Sequence, residues 1–294
     1  MPGRTTILRF LKPGMHTLIQ DMGRPDQQSS GIPIGGALDK TSAAAANWCV
    51  GNPESSPVLE ITMIGPQIQV DGDCQIAITG ADMNPKLDGT GIKSYEAIQV
   101  SSGSILSFEK LRSGCRAYLA VNGEWQVHRW LQSASALSIG NEDLVPGAVI
   151  KKGAVIVVKV HEPLPAVLVH PNPIKSWPDT HAVRVLPGPE FQSFTAQQIA
   201  YFFNAVFTIS GESNRMGYRL EPGFLDYEAE DELISSGIVP GTIQITRQGQ
   251  AVILMADAQT TGGYPRIANV LSEDLDALAQ LKPGNTVSFK IVKG

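Results

Sequence analysis

"TIQITRQGQAVILMADAQTTGGYPRIANVL", Thr242 to Leu271, is the stretch whose reading decides the fold. Three apolar runs rich in β-branched residues, TIQIT, AVILMA and IANVL, are separated by segments of Gly, Gln and Thr. Short runs of this kind, bounded by turn-formers, read as strands. Between the last two lies a polar insert, Gln259 to Pro265, without a charge of its own. It has two readings. In one, Gly262 and Gly263 supply positive φ for a tight turn and the threonines merely flank it. In the other, the backbone N–H groups around Gly262–Gly263 form an anion-binding concavity, with the Thr260 and Thr261 hydroxyls as further donors.

The same short-strand pattern extends in both directions. TVSFKIV follows near the end, and "VLEITMIGPQIQV", "CQIAITGA", "AIQVSSGSILSFE" and "CRAYLAV" fill the first half. Three helices interrupt it. "DKTSAAAANWCVG" has Asp39 to cap its start and Gly51 to end it in a left-handed conformation. "TAQQIAYFFNAV" has Thr195 and Gln198 at capping-box spacing, with Ile199, Phe202, Phe203 and Val206 on one apolar face. "SEDLDALAQLKPG" offers Ser272 as a cap and Pro283–Gly284 as a stop. Many short strands with one or two helices per half predict a mostly β protein of mixed sheets or small barrels.

The main punctuation is "HEPLPAVLVHPNPIKSWPDTH", residues 161–181, which carries five prolines. Such a segment runs extended and seldom lies inside a packed element. The expected organisation is an N-terminal β-rich subdomain over 1–165, a linker over 166–181 and a C-terminal β-rich subdomain over 182–294. His161, His170 and His181 are spaced nine and eleven apart, which fits no familiar zinc pattern, so they read as linker histidines.

Composition narrows the function classes. With 43% hydrophobic and 17% charged residues, the 294-residue chain is globular. Its net charge of −5 comes from interspersed acids and bases, and the absence of a basic stripe argues against nucleic acid. No run approaches the ~18 apolar residues of a membrane helix. The first residues have too short an apolar stretch for a signal peptide, so the expectation is a cytoplasmic protein. Cys49, Cys74 and Cys115 are odd in number and widely spaced in apolar surroundings, and read as small buried hydrophobes.

Nucleotide-binding, zinc-protease and Cys-x-x-Cys signatures are absent, and no metal site is expected. Besides the Gln259–Tyr264 insert, two polar clusters remain. "IQDMGRPDQQSSGIPIGGALD" places Asp21 and Arg24 around a glycine. "SGESNRMGYRLE" places Arg215 and Arg219 four apart, a spacing that puts both on one side of a helical turn or a strand. Gly217 leaves room there for a ligand or another backbone, and Ser210, Ser213 and Asn214 are close by. Two planar guanidiniums suit a carboxylate or phosphate, because each fork bonds two oxygens. Equally, they can bridge the chain's own carboxylates, such as Glu221 and Asp226.

Several of these stretches resemble one family. "ITGADM", "SGCRAYLAVNG", "SNRMGYRLE", "GTIQITRQGQAVILMADAQTTGGYPRIANV", "DLDALAQLKPGNTVSF" and the opening "LKPGMHTLIQDMGRP" are similar, in order and through nearly the whole chain, to the carboxyltransferase C/D-subunit family. It is also called allophanate hydrolase subunit 2, and includes KipA and the 5-oxoprolinase subunit PxpC. The resemblance implies a cyclophilin-like barrel in the C-terminal half and a heteromer with a KipI/PxpB-like partner. With a PxpA-like subunit as well, such pairs open 5-oxoproline to glutamate at the expense of ATP.

Two alternatives come with the family: a regulatory protein that binds a KipI-like kinase inhibitor, and a carboxyltransferase that works with biotin on urea. Arg215, Arg219 and Gln259 are the implied catalytic residues. Substrate or anion binding falls to Asp21, Arg24, Ser213, Asn214, Gly217 and Tyr218 on one side, and to Thr260, Thr261, Gly262, Gly263 and Tyr264 on the other. The chain also departs from the family pattern. In "LQSASALSIGNEDLVPG", Ala134 stands where an arginine is expected and much of a glycine-rich loop is missing, and Asn214 replaces a more usual aspartate.

Overall fold

A computed structural model describes residues 4–137, 144–162, 170, 176–223 and 233–292. Most of the expected linker, the segment 138–143 of the shortened loop, and Asp226 lie outside the described residues. The chain forms two compact units, one of residues 1–24 with 35–177 and one of residues 25–34 with 178–294. Each is described by itself.

The first unit is built on two sheets. A seven-stranded sheet runs in the order Glu124–Trp125, Val155–Lys159, Thr5–Lys12, Gln67–Asp71, Ile105–Phe108, Pro85–Leu87 and Thr90–Gly91. A five-stranded sheet runs His16–Gln20, Val58–Thr62, Ser113–Val121, Cys74–Asp82 and Ile98–Val100. Side chains on a strand alternate between faces, and here both faces of the smaller sheet are buried. Leu59, Ile61, Ile76, Ile78, Leu119 and Val121 join Leu8, Phe10, Ile68 and Val158 of the larger sheet in one core. The opposite face presents Val58, Ala77, Tyr118 and Ala120 to the helix Lys40–Cys49, whose Ala43, Ala46 and Cys49 pack onto it. Small residues on both sides let helix and sheet approach closely. Asp39 accepts from the Ser42 N–H at 2.8 Å and caps this helix, and Gly51 beyond its end has φ 70°, both as the sequence predicts.

The second unit is the expected closed barrel. Its strands follow the order Thr180–Pro187, Arg266–Val270, Thr242–Ile245, Ala251–Leu254, Gly217–Glu221, Phe207–Ile209 and Thr286–Ile291. The parallel pairing of Thr180–Pro187 with Thr286–Ile291 closes the ring. The helix Ala196–Asn204 carries the predicted capping box of Thr195 and Gln198. It inserts Phe202 flat against Phe289, with ring centroids 4.6 Å apart, beside Phe207. Burying such a ring contributes roughly 1.5–3 kcal/mol.

Two helix details differ from expectation. Val206 lies beyond the helix end and is 56% exposed, because the chain has already turned extended at Ala205. Ser272 is not a cap: it starts a single 3-10 turn, Ser272–Asp274, and the helix Leu275–Ala279 follows without a side-chain cap. No helix among the described residues is long and apolar enough to cross a membrane. The three cysteines are buried and form no disulfide with one another. Burial pushes the Cys49 and Cys74 thiols up to about 11, which keeps them protonated and unreactive.

Candidate functional site

The motifs of the second unit meet on the outer wall of the barrel. Within the strand Gly217–Glu221, Tyr218 and Leu220 point into the core, while Gly217 and Arg219 point out. Residues opposite one another in a ladder share a face. Arg219 pairs with Val252, and Val252 on its other side pairs with Gln244, so these three form a row across the outer wall. Gly217 and Leu254 make a second row beside it.

These rows floor a cleft of about 420 Å³ whose rim includes Asn214, Gln248, Gln259 and Tyr264. Five predicted residues therefore line one site: Asn214, Gly217, Arg219, Gln259 and Tyr264. Among the described lining residues Arg219 is the one charged side chain, and carboxamides dominate the rest of the polar surface. Gln244, Gln248 and Thr246 escaped the sequence reading. For Gln244 and Thr246 the signal lay in the alternation of TIQIT, whose apolar isoleucines face the core and leave Gln244 on the opposite face.

Arg219 is held loosely. One guanidinium nitrogen, Nη1, donates to Gln250 Oε1 at 2.9 Å, and Nε lies 3.7 Å from Glu212 Oε2. Its side chain is 45% exposed. Ser213 fixes the backbone beneath it, its Oγ accepting from the Arg219 N–H at 3.0 Å. Asn214 makes a local turn instead of reaching out with its oxygen, since Oδ1 accepts from the Met216 N–H at 2.8 Å. Gly217 is required by a neighbouring side chain: a Cβ there would sit 2.9 Å from Val252 Cγ1.

The expected pair of outward guanidiniums does not form. The strand begins only at Gly217, so Arg215 precedes it and the i, i+4 alternation does not reach that far. Arg215 turns inward, 3% exposed, and its Nε and Nη2 donate to Asp257 Oδ2 and Oδ1 at 2.8 Å each. The Asp257 N–H donates to the Arg215 carbonyl at 3.1 Å, and the Met255 N–H to the Met216 carbonyl at 3.0 Å. Arg215 thus clamps the two motifs to each other from behind the cleft. Tyr218 is a core residue.

The polar insert is not the positive-φ turn of the plainer reading. Neither Gly262 nor Gly263 has positive φ. Thr261–Gly262 instead pairs with Ser236–Gly237 in a two-stranded ribbon. The glycines serve close approach: a Cβ on Gly262 would lie 2.6 Å from Gln244 Nε2, and one on Gly263 would lie 3.0 Å from the Leu233 carbonyl oxygen. Thr260 is buried, and its carbonyl accepts from the Ile238 N–H. Thr261 is exposed in the ribbon. Arg266 pins the ribbon to the barrel, donating through Nη1 to the Gly237 carbonyl at 3.0 Å and through Nε to Glu190 Oε2 at 2.7 Å. Hydrogen bonds from Arg266 hold the Glu190 carboxyl below the ordinary carboxylate range.

Asp21 and Arg24 belong to the first unit and hold the segment 130–135 there. Asp21 accepts from the Ser133 and Ser135 hydroxyls at 2.6 Å and from the Ala134 N–H at 2.7 Å. Arg24, fully buried, donates to the carbonyls of Trp130 and Ser135 and lies over the Trp130 ring. Ala134 is itself fully buried. Among the described residues no group of three His, Cys, Asp or Glu is placed to hold a metal.

A family model described as carboxyltransferase domain, subdomain A and B, matches residues 30–291 of this chain. The chain belongs to that family. As a carboxyltransferase-domain protein it is 35% identical to the 5-oxoprolinase C-subunit of Escherichia coli, across 96% of its own length and 90% of the relative's. Among solved structures it is similar to TTHA0988, with a TM-score of 0.86 and 29% identity over 98% of this chain, and spans 57% of that one. It also matches the Kluyveromyces lactis urea carboxylase, with a TM-score of 0.88 and 30% identity, and covers 28% of that longer chain. The family resemblance read from the motifs and the mostly β, barrel-containing fold therefore both hold for this carboxyltransferase-domain chain.

Proposed function

We propose that this chain is a subunit of an ATP-dependent 5-oxoprolinase-type complex that opens a lactam to its amino acid, acting with a KipI/PxpB-like partner and a PxpA-like subunit. The observation that carries the reading is the end-to-end similarity to the 5-oxoprolinase C-subunit, and the chemistry of the cleft agrees with it. One guanidinium among carboxamides, with no carboxylate among the described lining residues, suits a small neutral amide that carries a single carboxylate. Arg219 takes the carboxylate, the amide side chains orient the ring, and the Arg215–Asp257 clamp fixes both loops.

A lone arginine is a poor match for a triphosphate, so no step through ATP is assigned to these residues and its use is placed in the assembled complex. The test is to mix the purified chain with its KipI/PxpB-like and PxpA-like partners and follow ATP-dependent release of glutamate from 5-oxoproline. No release from the full set, with the chain folded, overturns the reading.

The similarity to urea carboxylase favours one second reading, a carboxyltransferase that receives its carboxyl group from biotin. Carboxylation of urea in the presence of a biotinylated carrier, with no lactam opening, would establish that reading in place of the first.

A further inference from the structure

We propose that Gln244 is the specificity-determining residue of the cleft, and that its carboxamide pairs edge to edge with the amide or lactam group of the ligand. This rests on the reading of the cleft as a lactam or amide site.

Three observations single out Gln244 from the other carboxamides. It is 2% exposed yet lines the cleft, whereas Gln259 and Gln248 are exposed. A buried carboxamide is held in one orientation, and a fixed orientation is what recognition of a hydrogen-bond pattern needs. Its Nε2 makes one long contact, 3.4 Å to the Tyr264 carbonyl, so the tether sets its direction without consuming both N–H groups. Gly262 lies where any larger residue would place a Cβ 2.6 Å from that nitrogen, and its φ is not positive. A Cβ at this position would therefore meet the carboxamide end of Gln244, which would have to turn aside to admit it.

Position supplies the fourth argument. Arg219 and Gln244 stand on either side of Val252 in successive ladder pairs. With strands ~4.8 Å apart, their backbones are separated by about 10 Å. Both residues line the cleft, as does Tyr264, whose carbonyl takes the Gln244 Nε2–H, so a five-membered ring with a carboxylate at one end and an N–H/C=O edge at the other can meet both. A carboxamide offers one acceptor and two donors in a plane, the complement of a lactam edge. A lactone, with a ring oxygen in place of the N–H, would turn a lone pair toward the Gln244 acceptor and leave it unpaired. A site that hydrogen-bonds a substrate N–H rejects the analogue lacking it more strongly than a size change does.

The experiment measures binding of 5-oxoproline and of the matching lactone to the full chain in its reconstituted complex, by titration calorimetry without ATP. Wild type should favour the lactam by roughly 10- to 100-fold. Gln244→Met keeps length and removes hydrogen bonding, and should bring that ratio close to one with an unchanged melting temperature. Gly262→Ala reaches the same nitrogen from the opposite side and should lower the ratio likewise, so it decides the matter should Gln244→Met fail to fold. Arg219→Ala should weaken both ligands and keep the ratio. A lactam preference that survives Gln244→Met and Gly262→Ala overturns the role of Gln244 and leaves the cleft intact. No binding of either ligand to wild type overturns this inference together with the lactam reading of the cleft.

Discussion

The guanidinium of Arg215 and the carboxylate of Asp257 form a two-point ion pair with both hydrogen bonds at 2.8 Å and both side chains out of water. The pair joins the Arg-Met-Gly-Tyr-Arg strand entry to the loop that leads into Gln-Thr-Thr-Gly-Gly-Tyr. Two motifs some forty residues apart in sequence therefore act as one rigid frame behind the cleft. Arg219, exposed on the front, owes its place to that frame without touching it.

A buried pair adds little net stability over an apolar pair, but removing one partner strands the other. Arg215→Met is expected to destabilise the chain by roughly 3–5 kcal/mol in urea unfolding, because it removes both charge-assisted hydrogen bonds from the buried Asp257 carboxylate. The double variant Arg215→Met with Asp257→Leu should recover most of that loss. A mild effect of the single variant, below about 1 kcal/mol, would mean that Asp257 finds water or other donors and that the clamp is dispensable.

Glu190 gives a pH signature. Its carboxyl is held below the ordinary range chiefly by hydrogen bonds from Arg266, so the folded state binds its proton less readily than the unfolded state. The associated stability is complete above the ordinary glutamate range and is lost as pH falls through the lowered folded value. Glu190→Gln should therefore cost roughly 1–3 kcal/mol at neutral pH, and the gap to wild type should close as the solution is acidified below that range. A gap that stays constant down the acid limb would assign the effect to packing.

Much of the fold was legible because periodicity reports burial directly. The runs around Leu59, Ile76, Leu119 and Ile253 became strands where they were read, and Thr195 with Gln198 made the box its spacing promised. The boundary of an element was harder to see. Arg215 and Arg219 read as one face only if the strand includes both, and the strand starts between them. The roles of the glycines were also hidden, since a sequence does not tell positive φ from close approach. At Gly217 and Gly262 the reason is a side chain on another strand, Val252 and Gln244. Asp257 gave a faint signal as a lone acid in an apolar stretch, but its partner lies 42 residues away. Gln244 looked like an ordinary alternating polar position until the ladder placed it in one row with Val252 and Arg219.

In the first unit, Asp21 is ringed by donors: two hydroxyls and the N–H groups of Ala134 and Gly23. Asp21→Asn replaces an acceptor with a donor in that ring and leaves at least one group unpaired and buried. A loss of roughly 1–3 kcal/mol is expected in thermal or urea unfolding of the full chain. A variant as stable as wild type would show that the segment 130–135 is held without the Asp21 carboxylate.

Arg219 tests the front of the cleft. Its neighbours hold it weakly, and a side chain 45% exposed with one neutral hydrogen-bond partner and a carboxylate 3.7 Å away contributes little to folding. Arg219→Lys should change stability by less than about 0.5 kcal/mol. It keeps the charge and loses the planar fork, so a carboxylate bound at two points is bound at one. Ligand affinity should fall by roughly 1–3 kcal/mol, about 5- to 150-fold. If Arg219 grips a carboxylate that takes no part in bond breaking, the loss in the reconstituted complex appears in KM with kcat unchanged. A fall in kcat at constant KM would put the guanidinium on charge that develops during the reaction. In that case Arg219 would be a catalytic group and the carboxylate anchor would have to be sought elsewhere on the rim.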